Sequence, residues 1–68
     1  MCRNIKKLRR PDSTPTDEEL RDAALQFVRK ISGYQKPSHA NREAFDRAVE
    51  EVAVASRSMF DRLVIRAA

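Results

Sequence analysis

The sequence has one cysteine, one glycine, one histidine and no tryptophan. A lone Cys2 rules out a disulfide within the chain and a cysteine-rich zinc site, which needs several thiolates or imidazoles around the metal. A single glycine, Gly33, leaves no material for a glycine-rich phosphate loop. The longest uninterrupted apolar run, from Val52 to Ala55, falls far short of the ~20 residues a membrane span requires, so no membrane partner is expected. The basic start is not followed by an apolar stretch of secretory-signal type, so the expected location is the cytoplasm, where a lone thiol is also at home. No cofactor is implied.

The chain has 68 residues, enough for one small domain. A core of that size supplies only roughly 3–5 kcal/mol, and small domains usually add a disulfide, a metal or a partner chain. With the first two excluded, self-association is the reinforcement to expect.

The net charge of +4 is unevenly distributed. Residues 1–10 hold Arg3, Lys6, Lys7, Arg9 and Arg10 without an acid, which leaves nine bases against ten acids in the rest. The basic character therefore belongs to an arm, a composition that suits nucleic acid or another polyanion. Pro11 and Pro15 then frame Asp12, Ser13 and Thr14 as a linker, so that residues 1–15 form arm and linker.

A helix is predicted over 16–33. Thr16 and Glu19 have the spacing of a capping box, and Asp17, Glu18 and Glu19 put negative charge at the positive end of the helix dipole. Pro15 and Leu20 occupy the two positions of a hydrophobic staple. Apolar residues recur at Leu20, Ala23, Ala24, Phe27, Val28 and Ile31, and Gly33 suits the left-handed residue that ends a helix. Pro37 bars an easy continuation through Lys36.

A second helix is predicted over 38–66, with Ser38 and Asn41 both candidates to cap it. Its stripe is Phe45, Ala48, Val49, Val52, Ser56, Met59, Phe60 and Leu63, and Glu43–Arg47 and Arg57–Asp61 are spaced as i,i+4 ion pairs. The expected fold is all-α: an antiparallel two-helix hairpin with a short basic N-terminal segment, able to dimerise into a four-helix bundle. The second helix should overshoot the first by roughly 14 Å at 1.5 Å per residue. The overshoot carries Met59, Phe60, Leu63 and Val64, which either the arm (through Cys2, Ile5 and Leu8) or a second chain must cover.

Three constellations could carry function. Between Asp22 and Glu43 there is no acid, while Arg29, Lys30, Lys36 and Arg42 are all there, with His39, Ser38 and Asn41 beside the start of the second helix. Donors and positive potential at a helix start suit a phosphate, although Ser38 or Asn41 could equally serve only as a cap. Tyr34 fits better as a packing residue after the helix end than as a base-stacking platform. Cys2, near Arg3 and Lys6, is a weaker candidate for redox or metal chemistry. His39 and Glu43 share a face but make only two ligands, so no metal site is predicted. Glu18–Glu19 and Glu50–Glu51 are adjacent on helices and do not face each other, and with one histidine no nucleophile–base pair stands out, so no enzyme and no catalytic residue is expected.

The words MCRNI at 1–5, TDEELRDAALQFVRKISG at 16–33, KPSHAN at 36–41 and AFDRAVEEV at 44–52 occur in this order. On them the chain resembles a family of short bacterial proteins of unknown function that open Met-Cys-Arg-Asn-Ile. The resemblance implies a bacterial, cytoplasmic protein and transfers no catalytic residue. The functional expectation is a non-enzymatic binding module for a polyanion such as nucleic acid. The alternative is a homo-oligomeric or protein–protein interaction module, with Met59, Phe60, Leu63 and Val64 as its surface.

Overall fold

The computed structural model describes residues 7–64. Helix α1 spans Asp17–Ser32 and helix α2 spans Arg42–Arg62, and the two pack against each other as an antiparallel hairpin. The elements among the described residues are all helical, as the two periodicities require.

Both ends of α1 form as their residues dictate. The Glu19 N–H donates to Thr16 Oγ1 at 3.1 Å and the Thr16 N–H donates to Glu19 Oε1 at 2.9 Å, which closes the capping box. Pro15 is fully buried and Leu20 is buried, so both staple positions are filled. At the other end Gly33 adopts φ 79° and its N–H returns to the Arg29 carbonyl at 2.9 Å. That left-handed turn costs a residue with a Cβ roughly 1–2 kcal/mol.

The second helix differs from its predicted bounds of 38–66. The chain first makes a 3-10 turn at His39–Asn41, and regular α geometry begins at Arg42. Helix α2 closes at Arg62, because Leu63 turns extended with ψ 139° after its N–H has bonded the Met59 carbonyl. Positions 65 and 66 lie outside the described residues. At 21 residues against 16, α2 still outruns α1, by ~8 Å.

The core is thin. Ala24, Val28, Phe45 and Val49 form its buried cluster, flanked by Leu25, Ala48, Val52 and Ala53. The predicted α1 stripe contained two parallel rows, Leu20–Ala24–Val28 and Ala23–Phe27–Ile31. One facing helix buries only the first. Phe27 remains 43% exposed and Ile31 65%.

The linker, not a disordered tether, closes the open end. Arg10, Pro11, Ser13 and Thr14 line a cleft with Phe60, Asp61 and Leu63. The guanidinium of Arg57 donates to the Pro15 carbonyl at 2.6 Å and to Asp17 Oδ1 at 2.9 Å. Arg10 pairs with Glu19. The overshoot of α2 is thus partly covered from within the chain, and Leu8 is half-buried. Cys2 and Ile5, the other two residues expected there, lie outside the described residues.

Candidate functional site

The acid-free stretch folds into the hairpin tip, where the end of α1, the connection and the 3-10 turn meet. Lys30, Lys36, Ser38, His39, Asn41 and Arg42 are exposed there, and Arg29 is half-buried. The hydrogen bonds divide these residues into two groups. Arg29 Nε donates to the Gln35 carbonyl at 3.0 Å, so this guanidinium holds the connection in place. Asn41 Nδ2 donates to Ser38 Oγ at 3.0 Å and to the Tyr34 hydroxyl at 3.3 Å. Neither Ser38 nor Asn41 caps through its side chain; the Asn41 N–H instead meets the Ser38 carbonyl at 3.0 Å. Both amide protons of Asn41 are therefore committed inside the tip. Lys30, Lys36, His39 and Arg42 are the residues left facing solvent with donors to offer.

Tyr34 is 42% exposed and holds the tip by hydrogen bonds, not by the packing expected of it. Its N–H donates to Ser32 Oγ at 3.2 Å and its hydroxyl accepts from Asn41, which ties the end of α1 to the entry of α2.

The ion pairs show how the charge is arranged. Among the described residues there are three: Arg10–Glu19, Arg21–Glu50 at 2.6 Å and Arg57–Asp17 at 2.9 Å. None involves Arg29, Lys30, Lys36 or Arg42. The predicted i,i+4 pairs Glu43–Arg47 and Arg57–Asp61 are not among them. Arg57 reaches instead across the chain to Asp17, and Glu50 reaches across to Arg21. At the base, the Thr16 N–H and then the Arg10 guanidinium hold the Glu19 carboxyl below its ordinary value of 4.5.

Arg10, the last residue of the basic arm, pairs with Glu19 at the start of α1, and the tip lies at the other end of that helix, ~24 Å away. Lys7 and Arg9 are exposed at the base, and Arg10 is engaged with Glu19. Arg3, Lys6 and Cys2 lie outside the described residues. The structure therefore does not bring Arg10 to the tip. His39 and Glu43 are both exposed, and among the described residues no three His, Cys, Asp or Glu side chains cluster as metal ligands would. No helix among the described residues is long and apolar enough to cross a membrane.

Of the apolar surface foreseen at the end of α2, Met59, Leu63 and Val64 are exposed, while Phe60 is half-buried beside the linker. The residues missed by sequence reading are Phe27 and Ile31. Their signal was present in the second apolar row of α1, which no residue of a two-helix hairpin could cover.

The family model for an uncharacterized conserved protein, DUF2277, matches residues 1–68. No curated protein and no solved structure matches the chain.

Proposed function

The chain belongs to this DUF2277 family of uncharacterized conserved proteins, and we propose that it is a non-catalytic binding module for a polyanion such as nucleic acid, contacted through the hairpin tip. One observation carries the reading: Arg29, Lys30, Lys36 and Arg42 meet no carboxylate, although each of the three ion pairs among the described residues lies elsewhere on the hairpin. Cations without a carboxylate partner favour phosphate oxygens. Such contacts position a phosphate backbone and carry little sequence information, so binding should be indifferent to base sequence. The connection is braced by Arg29 and Asn41, so little ordering accompanies binding.

The test is the salt dependence of DNA affinity. Each phosphate neutralised contributes roughly −0.9 to the slope of log affinity against log salt. Replacing Lys36 and Arg42 with Ala should flatten that slope by about 2, with helix content unchanged. Identical slopes for the parent and the double variant, or no retention on heparin by either, would reject the tip as a polyanion site. Removing residues 1–10 in parallel reports on the arm separately.

A further inference from the structure

Tyr34 is the one tyrosine of the chain, and the fold sets it in the hairpin tip, outside the core. It is exposed, yet it is fixed at three points. Its N–H donates to Ser32 Oγ at 3.2 Å and its hydroxyl accepts from Asn41 Nδ2 at 3.3 Å. The carbonyl of the next residue, Gln35, accepts from Arg29 Nε at 3.0 Å. The hydroxyl is thus engaged inside the tip, and the ring is what remains to meet a ligand. On the N-terminal side Gly33 has no side chain, and a Cβ built there would meet no atom within 4 Å, so the space beside Tyr34 is open. An aromatic ring held in place before a ligand arrives loses little freedom on binding.

Cations flank this ring along the chain. Lys36 follows it by two residues, and Arg42 follows Asn41, whose amide reaches the hydroxyl. The ion pairs among the described residues include neither cation. The first acid beyond them, Glu43, stands one residue further along α2. We propose that Tyr34 is a stacking platform for one unpaired base, with Lys36 and Arg42 on the neighbouring phosphates, so that the ligand of the tip is single-stranded nucleic acid. This inference rests on the reading of the tip as a polyanion site and narrows it to one class of polyanion. The chemistry makes the choice. A sulfated polysaccharide brings charge without an aromatic face. A duplex stacks each base between its neighbours and presents only base edges in its grooves. A single strand offers bases whose faces an aromatic side chain can take up, while cations follow the backbone. Such stacking accepts any base, which agrees with phosphate contacts that carry little sequence information.

The sequence supplies its own probe. With one tyrosine and no tryptophan, tyrosine emission of the full chain reports Tyr34 alone. Titration with a short oligothymidylate, corrected for absorption by the bases, should quench that emission to saturation. A duplex of the same length and heparin should bind with the emission largely retained. Tyr34→Leu removes the aromatic face and should weaken oligothymidylate binding on the order of 10-fold, with heparin retention and helix content unchanged. Tyr34→Phe keeps the ring, gives up the Asn41 contact and should bind close to the parent. Salt-dependent binding of oligothymidylate without quenching overturns the stacking proposal and leaves the polyanion reading in place. Equal losses in Tyr34→Phe and Tyr34→Leu also overturn it, because the hydroxyl tether and not the ring then matters. Equal quenching by duplex and single strand overturns the restriction to single strands. No retention of the parent on either heparin or DNA removes the polyanion reading, and this inference with it. The quenching arm needs no variant, so it stands even if Tyr34→Leu fails to fold.

Discussion

Arg57 sits where three parts of the chain meet, and its removal tests the account of how so small a core stays folded. Its guanidinium Nη2 donates to the carbonyl of fully buried Pro15 at 2.6 Å and to the Asp17 carboxylate at 2.9 Å. The two contacts are not equal. Asp17 has a side chain 94% exposed, and a solvent-screened pair of this kind contributes about 0.2–1 kcal/mol. The Pro15 carbonyl is a different case. This bond is part-buried, and a hydrogen bond from a charged donor contributes about 1.5–3 kcal/mol. Arg57→Ala should therefore destabilise the fold by about 2–3 kcal/mol. Asp17→Asn should cost under about 1 kcal/mol even with the helix-dipole share of an acid in the first turn.

Against the roughly 3–5 kcal/mol that a core of this size supplies, the first loss is most of the total. Urea titration followed by far-ultraviolet circular dichroism measures both variants, with the melting midpoint of Arg57→Ala falling by on the order of 10 °C. Arg57→Lys separates charge from geometry. Both bonds leave the single nitrogen Nη2, and the shorter lysine side chain does not carry its ammonium as far, so it should recover only part of the loss. If Asp17→Asn proves as damaging as Arg57→Ala, the ion pair and not the carbonyl contact holds the linker down, and the reasoning fails. A loss under about 0.5 kcal/mol for Arg57→Ala would equally refute it, since that is the range of surface changes that touch nothing important.

Glu19 titrates below its ordinary value of 4.5 because the Thr16 N–H and Arg10 favour its charged form. Its contribution is therefore complete above the unfolded-state pKa and is lost as pH falls through the lower folded value. Urea midpoints should fall below about pH 4.5 in the parent, and Glu19→Gln should remove part of that fall; equal pH profiles would contradict the assignment. At Gly33 an added Cβ meets no atom within 4 Å, so Gly33→Ala isolates the backbone term and should cost about 1 kcal/mol in the same titration. Gly33→Asn should cost less, because Asn tolerates the left-handed region, and the opposite order would show that the turn is set by something other than φ.

Local signals in the sequence located α1 to within a residue, because both of its ends are encoded by neighbours. Thr16 and Glu19 satisfy each other, and Gly33 closes the last turn without help from elsewhere in the fold. The start of α2 was less legible. Ser38 and Asn41 were both acceptable caps by residue type, and the structure uses neither side chain as one, since Asn41 is drawn to Tyr34 across the connection. Periodicity alone also could not say which apolar row of α1 is buried. That depends on how many helices surround it, a tertiary quantity. The cross-chain reach of Arg57 was hidden for the same reason: an acid four residues on, Asp61, offered a local partner, and only the folded linker presents the Pro15 carbonyl that it binds. For the tip, sequence located the absence of acids correctly but not the internal commitments of Arg29 and Asn41, which follow from the geometry of the connection.

The polyanion reading rests most heavily on Lys36 and Arg42, the pair chosen for its test. Arg29 is engaged by the Gln35 carbonyl, and Lys30 stands on α1 itself. Lys36 and Arg42 belong to the connection and to the opening of α2, and the ion pairs among the described residues include neither. A phosphate backbone laid across the tip would therefore meet these two cations first, and their removal should take most of the salt dependence with it.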